Sequence, residues 1–150
     1  ANAFYNVKTG ANIDIAFIGM SDLTVGVANY WCHIPSNVSS NENWNLFFSH
    51  GADTTSGGNV ILSFRARIDT AGTVLDTAPT LLISTATYST QSANRLIIDS
   101  ASGAVMDSTL GLIANSYFRV MVERSGALAG DTVGGQWNLY GISLQCDVDT

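Results

Sequence analysis

The sequence predicts an all-β protein, an antiparallel β-sandwich of jelly-roll type with seven to eight strands. Three observations lead to this fold class. Apolar and polar residues alternate along many segments, helical periodicity is almost absent, and turns rich in glycine and serine divide the alternating segments. Short strands separated in this way are typical of sandwiches, jelly rolls and barrels. The length of 150 residues corresponds to one domain, which can bury roughly 70% of its unfolded surface.

Two segments show the alternation most clearly. The predicted strands are 60–68 and 117–124, followed by 13–18, 25–34, 44–48, 80–86 and 137–146, with 95–99 as a strand or a short edge piece. Apolar residues alternate with polar ones from 60 to 68 and again at Phe118, Val120 and Val122, which is the pattern of a half-buried antiparallel strand. This alternation puts Arg65 and Arg67 on the polar face of one strand, and Arg119 and Glu123 on that of the other. If the two strands are neighbours, the four side chains form a cross-strand ladder, on a solvated face or at a seam between subunits.

Three parts of the chain are distinguished by composition. Residues 1–12 are predicted to be an extended arm, polar except for the isolated anchors Phe4 and Tyr5. Residues 13–146 form the β-sandwich, and residues 147–150 are a short acidic tail. Residues 86–94 have no strong period, so a loop or a single turn is expected there.

Charge is unusually sparse. Charged residues make up 12% of the chain, about half the usual ~25%. A surface of serine, threonine, asparagine and glycine indicates a chain packed against other copies or partners, or else a neutral extracellular β-domain. The net charge is −6 with six basic residues, so no basic stripe exists to bind nucleic acid or a membrane surface. No signal-peptide pattern occurs at the start of the sequence, so synthesis in the cytosol is expected.

No pattern of residues predicts catalysis or a cofactor. His33 and His50 do not have the spacing of a zinc site, and His50 is assigned to a turn before a glycine. Cys32 and His33 are adjacent on a strand and would face opposite ways. The aspartates lie at turns, where they cap backbone N–H groups, although a calcium site built from them stays open. Cys32 and Cys146 are expected to be free thiols, with a single disulfide as the alternative.

Three tryptophans have two possible roles. Trp31, Trp44 and Trp137 all fall on predicted strands or at their ends. Strand tryptophans usually fill a sandwich core or a subunit interface. Flat aromatic side chains also form sugar-stacking platforms, so the same residues are the candidates for a glycan-binding surface.

The last third of the chain resembles the closing hairpin of a β-sandwich domain of tailed-phage virion proteins. The segments that carry the resemblance are Phe118-Arg119-Val120 with Glu123-Arg124, Gly130-Asp131-Thr132, and Leu139-Tyr140-Gly141-Ile142-Ser143-Leu144. The earlier strand from Val25 to Trp31 and the segment Trp44-Asn45-Leu46 also match, so the resemblance covers about residues 20–146. This chain departs from the pattern at Cys146, where an aromatic residue is usual, and in its polar first twelve residues.

The resemblance implies a virion structural protein, not an enzyme. It implies that Asp131 and Thr132 brace the loop before the last strand, and that Gly141 has a structural role. The function it implies is capsid decoration: homotrimers on the outer capsid surface, made in the host cytoplasm, clamp neighbouring major capsid protein subunits. The arm with Phe4 and Tyr5 is the candidate for reaching a neighbour. The alternative is a tail or head-fibre module that adheres to host surface glycan.

Overall fold

In a computed structural model of the chain, the described residues form nine β-strands in two antiparallel sheets. The structure describes residues 3–9, 14–34, 36, 44–53, 57–77, 79–90, 95–101 and 113–146, and it describes 3–9, 14–16, 44, 80–85 and 146 by their backbone alone. The strands are β1 (Ala3–Thr9), β2 (Asp14–Met20), β3 (Val25–His33), β4 (Trp44–Ala52), β5 (Gly58–Asp69), β6 (Thr80–Thr90), β7 (Ile97–Ser100), β8 (Tyr117–Ser125) and β9 (Trp137–Cys146).

The strand order is that of a jelly roll. One sheet has the order β1-β2-β9-β4-β7 and the other β3-β8-β5-β6. If β1 is set aside, each sheet holds four strands, and successive strands from β2 to β5 and from β6 to β9 alternate between the sheets. The last strand, β9, lies between β2 and β4, which closes the double Greek key. The predicted fold class is confirmed, with β1 as a ninth strand.

The N-terminal segment differs from its prediction. Within the expected arm at 1–12, residues Ala3–Thr9 form β1, which pairs along its whole length with β2. The free edge of β2 offers unpaired N–H and C=O groups, and the neighbouring stretch of chain satisfies them by folding back as a hairpin. The backbone that carries Phe4 and Tyr5 is therefore an edge strand, and the predicted acidic tail at 147–150 lies outside the described residues.

A second difference concerns the segment 86–94, which was expected to be a loop or a single turn. Residues 86–90 continue β6 as far as Thr90, and 91–94 lie outside the described residues. The side chains of Thr87 and Ser89 are exposed, while Tyr88 packs against the core and Thr90 is buried. These residues alternate as a strand does, but serine and threonine occupy most of the polar positions. The apolar–polar alternation is therefore weak in the sequence.

The core lies between the two sheets. β5 and β8 pair at the centre of the four-stranded sheet and turn their apolar residues inward. Phe64 and Phe118 are fully buried there, and Phe48 from the opposite sheet packs with its ring centre 5.1 Å from that of Phe64. The faces predicted for 60–68 and 117–124 are those observed. Within the described residues no helix occurs that is long and apolar enough to cross a membrane.

A β-bulge changes the inward face of β9. Ser49 pairs with Gly141 and His50 with Leu139, so Tyr140 has no partner opposite it on β4. Strict alternation would place Tyr140 on the face of Ile142, but the bulge shifts the register by one residue. Leu139 is fully buried in the core, whereas Tyr140 packs its ring edge-on against Phe17 of β2, with centroids 6.2 Å apart.

Candidate functional site

The outer face of the four-stranded sheet gathers charged side chains from three strands. β8 runs between β3 and β5, and the two registers align residues in rows across the sheet. From β3 to β5 the rows are His33–Tyr117–Asp69, Trp31–Arg119–Arg67, Asn29–Met121–Arg65 and Val27–Glu123–Ser63. Arg65, Arg67, Arg119 and Glu123 therefore share one face, and Arg67 lies directly opposite Arg119.

Two of these arginines hold the loop that follows β5. Arg119 donates from Nη1 to the carbonyl of Leu75 at 2.6 Å and from Nη2 to that of Thr77 at 2.7 Å. Arg67 donates from Nη1 to the same Thr77 carbonyl at 2.7 Å and from Nη2 to that of Val74 at 3.0 Å. The loop is thereby fixed over the sheet. The donors of Arg67 and Arg119 are largely committed within the chain, not held free for a solvated face or for another subunit.

Asp69 is the anion that balances this pair of arginines. Its carboxylate accepts a hydrogen bond from Arg67 Nε and one from Trp31 Nε1 at 3.2 Å. Arg119 Nε lies 3.4 Å from Asp69 Oδ2, an ion-pair distance without hydrogen-bond geometry. The Arg119 guanidinium also lies over the Trp31 ring, 5.9 Å from its centroid. The indole of Trp31 is thus held on two sides while 49% of the residue stays exposed.

The clamped loop and the sheet enclose an open groove of about 490 Å³. The groove is lined on the sheet side by Asn29, Arg65, Arg119, Met121 and Glu123, and on the loop side by Leu75, Asp76, Thr77 and Pro79. The side chains of Arg65 and Glu123 have no hydrogen bond or ion pair to any described residue, so within the described part of the chain the groove presents an unpaired cation and an unpaired carboxylate. Of the other predicted interface residues, Phe4 and Tyr5 have their side chains outside the described part.

The three tryptophans lie in different places. Trp137 is fully buried in the core, and Trp44 begins β4 with its side chain outside the description. Trp31 is half exposed beside the groove, on the same face of β3 as Asn29. Trp137 therefore cannot belong to a glycan platform, and of the two tryptophans whose side chains are described, Trp31 faces solvent.

Asp131 forms a buried ion pair with Arg124. Arg124 Nε and Nη2 donate to the two Asp131 carboxylate oxygens at 3.0 and 2.7 Å, and both side chains are inaccessible to solvent. The remaining guanidinium donors go to the carbonyls of Met20, Gly135 and Val133 at 2.8, 2.9 and 2.6 Å. All five N–H groups of the guanidinium are thereby used. One side chain connects the end of β2, β8 and the Gly-rich loop.

Thr132 and Asp22 fasten the same loop to its surroundings. The Thr132 hydroxyl accepts a hydrogen bond from the Asn59 N–H at 2.8 Å, and Asp131 Oδ2 accepts one from the Ile61 N–H at 3.2 Å, both on β5. Asp22, between β2 and β3, accepts from the Gly135 N–H at 2.7 Å, and this bond lowers the pKa of the Asp22 carboxyl. Gly141 lies beside the β9 bulge, where Ser49 Oγ donates to its carbonyl at 3.4 Å.

His50 is the centre of a second buried network. The Trp137 Nε1–H donates to His50 Nδ1 at 3.0 Å, so Nε2 carries the imidazole proton and donates to Asp99 Oδ2, also at 3.0 Å. His50 is fully buried within β4, not at the turn expected from Gly51, which continues the strand. A side chain on Gly51 would bring its Cβ within 2.6 Å of the Arg95 carbonyl oxygen, so glycine is needed for close packing there.

This network leaves His50 without a nitrogen for proton transfer. One ring nitrogen accepts from tryptophan and the other donates to aspartate, so no lone pair is available to a substrate. Cys32 is a free thiol, and burial raises its pKa, which disfavours the nucleophilic thiolate. Among the described residues there is no group of three or more His, Cys, Asp or Glu side chains able to hold a metal ion.

We expect the stability of the protein to fall as the pH drops below about 6.5 because of His50. Burial lowers the pKa of His50 below its ordinary 6.5, and the nearby Asp99 carboxylate only partly opposes this. The unfolded chain therefore binds a proton at a pH where the folded protein does not. The resulting stability is fully present above pH 6.5 and is lost as the pH falls from there toward the lower pKa of the folded state. Urea unfolding followed by tryptophan fluorescence between pH 7.5 and 5 measures it.

His50→Gln and His33→Asn separate this effect from other titrations. Glutamine keeps one acceptor and one donor but does not titrate, so the His50→Gln protein should show a shallower dependence of unfolding free energy on pH. His33 is exposed against Tyr117 and lies outside this network, so His33→Asn is the control that removes a histidine without touching the buried ring. Equal slopes in the wild type and the His50→Gln variant would contradict the assignment.

Arg124 and His50 are two buried polar residues whose burial was not predicted from the sequence. Arg124 continues the series Phe118, Val120 and Val122 and so falls on the inward face of β8, and this position was the available signal. His50 follows Leu46 and Phe48 at the same spacing in β4. In both cases the residue type suggested exposure, and the strand period gave the correct orientation.

The fold and the site define a jelly-roll β-sandwich that has a polar groove on one outer face and two buried networks used for structure. No family model matches the sequence, and no curated protein is significantly similar to it.

Proposed function

We propose that this protein is a structural component of a tailed-phage virion that decorates the outer capsid surface and clamps major capsid protein subunits. The proposal starts from the resemblance of the closing hairpin to such proteins, and the jelly-roll fold is compatible with it, since viral capsid proteins are among those that use this architecture. A fold does not by itself define a function. The observation that carries the proposal is an uncharged surface on the five-stranded sheet.

This uncharged face lies on the outside of β4, β7 and β9. Its residues, aligned by the strand registers, are Asn45, Phe47, Ser49, Ile98, Ser100, Gly141, Ser143 and Gln145. None is charged, and Ile98 is 67% exposed. A depression of about 290 Å³ lies between Phe47, Ile98 and Ser143. The opposite sheet, in contrast, carries two acidic and three basic residues on its outer face along β5 and β8.

Depletion of charge is the compositional signature of an interface core. An uncharged face with an exposed isoleucine and a shallow depression suits burial against a capsid subunit or a second copy of the chain. Each contact needs to be only moderately strong, because many copies around a closed shell act together. The expected unit is a homotrimer. The low number of basic residues argues against nucleic acid or a membrane as a partner, and no catalytic role is proposed.

A charge placed in the uncharged face should abolish this association. Ser143 is exposed at its centre, so Ser143→Arg should leave folding intact and reduce both self-association and binding to capsid shells. Light scattering over a dilution series measures the first, and co-sedimentation with shells of the major capsid protein measures the second. Charged groups buried without a partner at an interface cost several kcal/mol.

The matched control is Thr87→Arg. Thr87 is an exposed strand residue on β6 of the other sheet, so the same substitution changes net charge equally without touching the uncharged face. It should behave like the wild type in both measurements. Shell binding that survives Ser143→Arg would show that the face is not the contact. A wild-type protein that neither oligomerises nor binds shells would overturn the function itself.

The second candidate is adhesion of a tail or head-fibre module to host glycan. The observation that favours it is Trp31, whose indole is oriented by Asp69 and Arg119 while half of the residue faces solvent. A rigid, exposed aromatic ring gives a flat apolar surface at little entropic cost. The wild type should show quenching or a blue shift of tryptophan fluorescence on addition of host surface glycan. Because both variants lack this indole, their binding is measured by calorimetry, and it should be weakened in Trp31→Phe and lost in Trp31→Ala.

A further inference from the structure

The groove beside Trp31 has a floor made by one row of the sheet and a wall made by the clamped loop. Asn29, Met121 and Arg65 form that row, with Met121 in the middle, and Glu123 lies in the next row. Adjacent strands are about 4.8 Å apart, so the row spans about 10 Å from Asn29 to Arg65. The volume of about 490 Å³ lies in the range of small-molecule sites, roughly 300–1,000 Å³.

The polar groups of the groove have no partners within the described part of the chain. Arg65 and Asn29 offer N–H donors, and Glu123 and Asp76 offer carboxylate acceptors, and none of the four makes a hydrogen bond or ion pair to another described residue. This contrasts with Arg67 and Arg119 in the neighbouring row, whose terminal nitrogens all donate to loop carbonyls. Arg67 and Arg119 thus hold the loop, whereas the Arg65 side chain has no partner among the described residues.

The mixture of charges indicates the kind of ligand. An anion would be attracted by Arg65 but repelled by Glu123 and Asp76, and a cation would meet the reverse. A hydroxyl group both donates and accepts, so neighbouring hydroxyls can accept from Arg65 and Asn29 and donate to the carboxylates at the same time. Met121 and Leu75 add apolar surface for C–H groups. A neutral polyhydroxylated ring has all of these features.

The groove is also preformed. Its floor consists of paired strands, and its wall is held by four hydrogen bonds from Arg67 and Arg119. Trp31 extends the floor by one row past Asn29 and has its ring plane held by the hydrogen bond to Asp69. A site that needs no rearrangement loses less free energy to ordering when a ligand binds.

We propose that this groove binds a neutral saccharide, held by Arg65, Asn29, Glu123 and Asp76 over Met121, with a sugar ring stacked on Trp31. This inference deepens the glycan-adhesion candidate and rests on it. It is independent of the capsid contact, which uses the other sheet.

The first experiment is an array of oligosaccharides that contains neutral glycans of hexose, N-acetylhexosamine and deoxyhexose beside sialylated and sulfated ones. The purified full chain should bind neutral glycans and not depend on the acidic groups. The strongest neutral glycan is then titrated in a calorimeter against the wild type, Arg65→Met, Glu123→Gln and Thr87→Ala. The first two should bind about tenfold more weakly or worse, since each loses charged hydrogen bonds to hydroxyls, and Thr87→Ala should bind like the wild type.

The outcomes distinguish a failure of the groove proposal from a failure of the adhesion or decoration proposals. Neutral glycan binding that is lost in Arg65→Met and Glu123→Gln, with unchanged thermal unfolding, supports the groove. Glycan binding that survives both substitutions overturns the groove and leaves adhesion through another surface. Absence of binding to every neutral glycan at millimolar concentration, or binding to acidic glycans alone, overturns the groove, while co-sedimentation with capsid shells still decides the decoration proposal on its own.

Discussion

Asp131→Asn is expected to lower the free energy of unfolding by about 3–5 kcal/mol, the cost of leaving one partner of a buried ion pair without its counter-charge. Asparagine has nearly the same shape but turns an NH₂ group toward a guanidinium that is itself fully buried. Arg124 would keep its positive charge in the core and lose the carboxylate that accepts from Nε and Nη2. Urea unfolding followed by circular dichroism measures the change.

The control for this substitution is Asp76→Asn. Asp76 is exposed in the loop after β5 and pairs with no described residue, so the unfolding free energy should change by no more than about 0.5 kcal/mol. A loss of under about 1 kcal/mol in Asp131→Asn would contradict the energetic role given to the buried pair, since the usual cost of breaking one is several times larger.

A double variant tests what Arg124 does beyond the ion pair. Replacing both members of a buried pair by apolar residues is often neutral or stabilising. Here Arg124→Met with Asp131→Leu should recover only part of the loss, because the carbonyls of Met20, Val133 and Gly135 would lose their donors. Full recovery would mean that water or a shift of the loop satisfies those carbonyls.

Arg119→Met is expected to lower the free energy of unfolding by about 2–4 kcal/mol and to loosen the loop after β5. Hydrogen bonds to charged groups contribute roughly 1.5–3 kcal/mol each, and Arg119 donates two of them to the carbonyls of Leu75 and Thr77. The substitution also leaves Asp69, which is buried, with fewer cations beside it. Urea unfolding measures the free energy of unfolding, and amide hydrogen exchange of residues 70–77 measures the loosening of the loop.

Arg65→Met is the matched control, since it makes the same chemical change one row away on the same face. Arg65 is half-buried and has no partner among the described residues, so its removal should change stability by about 0.5 kcal/mol or less and leave exchange in the loop unaltered. Similar losses of stability from the two substitutions would contradict the distinction between Arg119, which donates to the loop, and Arg65, which has no partner among the described residues.

The strand framework was predictable because half-buried strands repeat every two residues. Residues 60–68 and 117–124 lie in the two central strands of the four-stranded sheet, and the period alone gave their inward faces. The same period placed Arg124 inward, but a buried arginine requires acceptors from several segments. Those acceptors come from Met20, Asp131 and the glycine-rich loop, and their convergence exists only in the folded chain.

Other features depended on neighbours that the sequence does not reveal. β1 is a strand because it pairs with the edge of β2. Tyr140 lies off the core face of β9 because of the bulge in the pairing of β9 with β4. The groove forms only because the loop after β5 folds back over the sheet. The alternation of 60–68 predicted that the arginines share a polar face, but it did not predict that one of them binds the carbonyls of this loop. Gly51 suggested a turn by its type, whereas its lack of a side chain serves close packing against the Arg95 carbonyl.

The two sheets of a sandwich pack about 10 Å apart, and the two surfaces described above lie on the outer sides of different sheets. Seating the uncharged side on a curved shell would turn the other side outward, toward the medium around the particle. Every copy would then present its opening in the same direction at a regular spacing. Each copy would bind the sugar only weakly. The whole particle would bind with high avidity, because a target surface that carries the sugar at high density engages many copies at once.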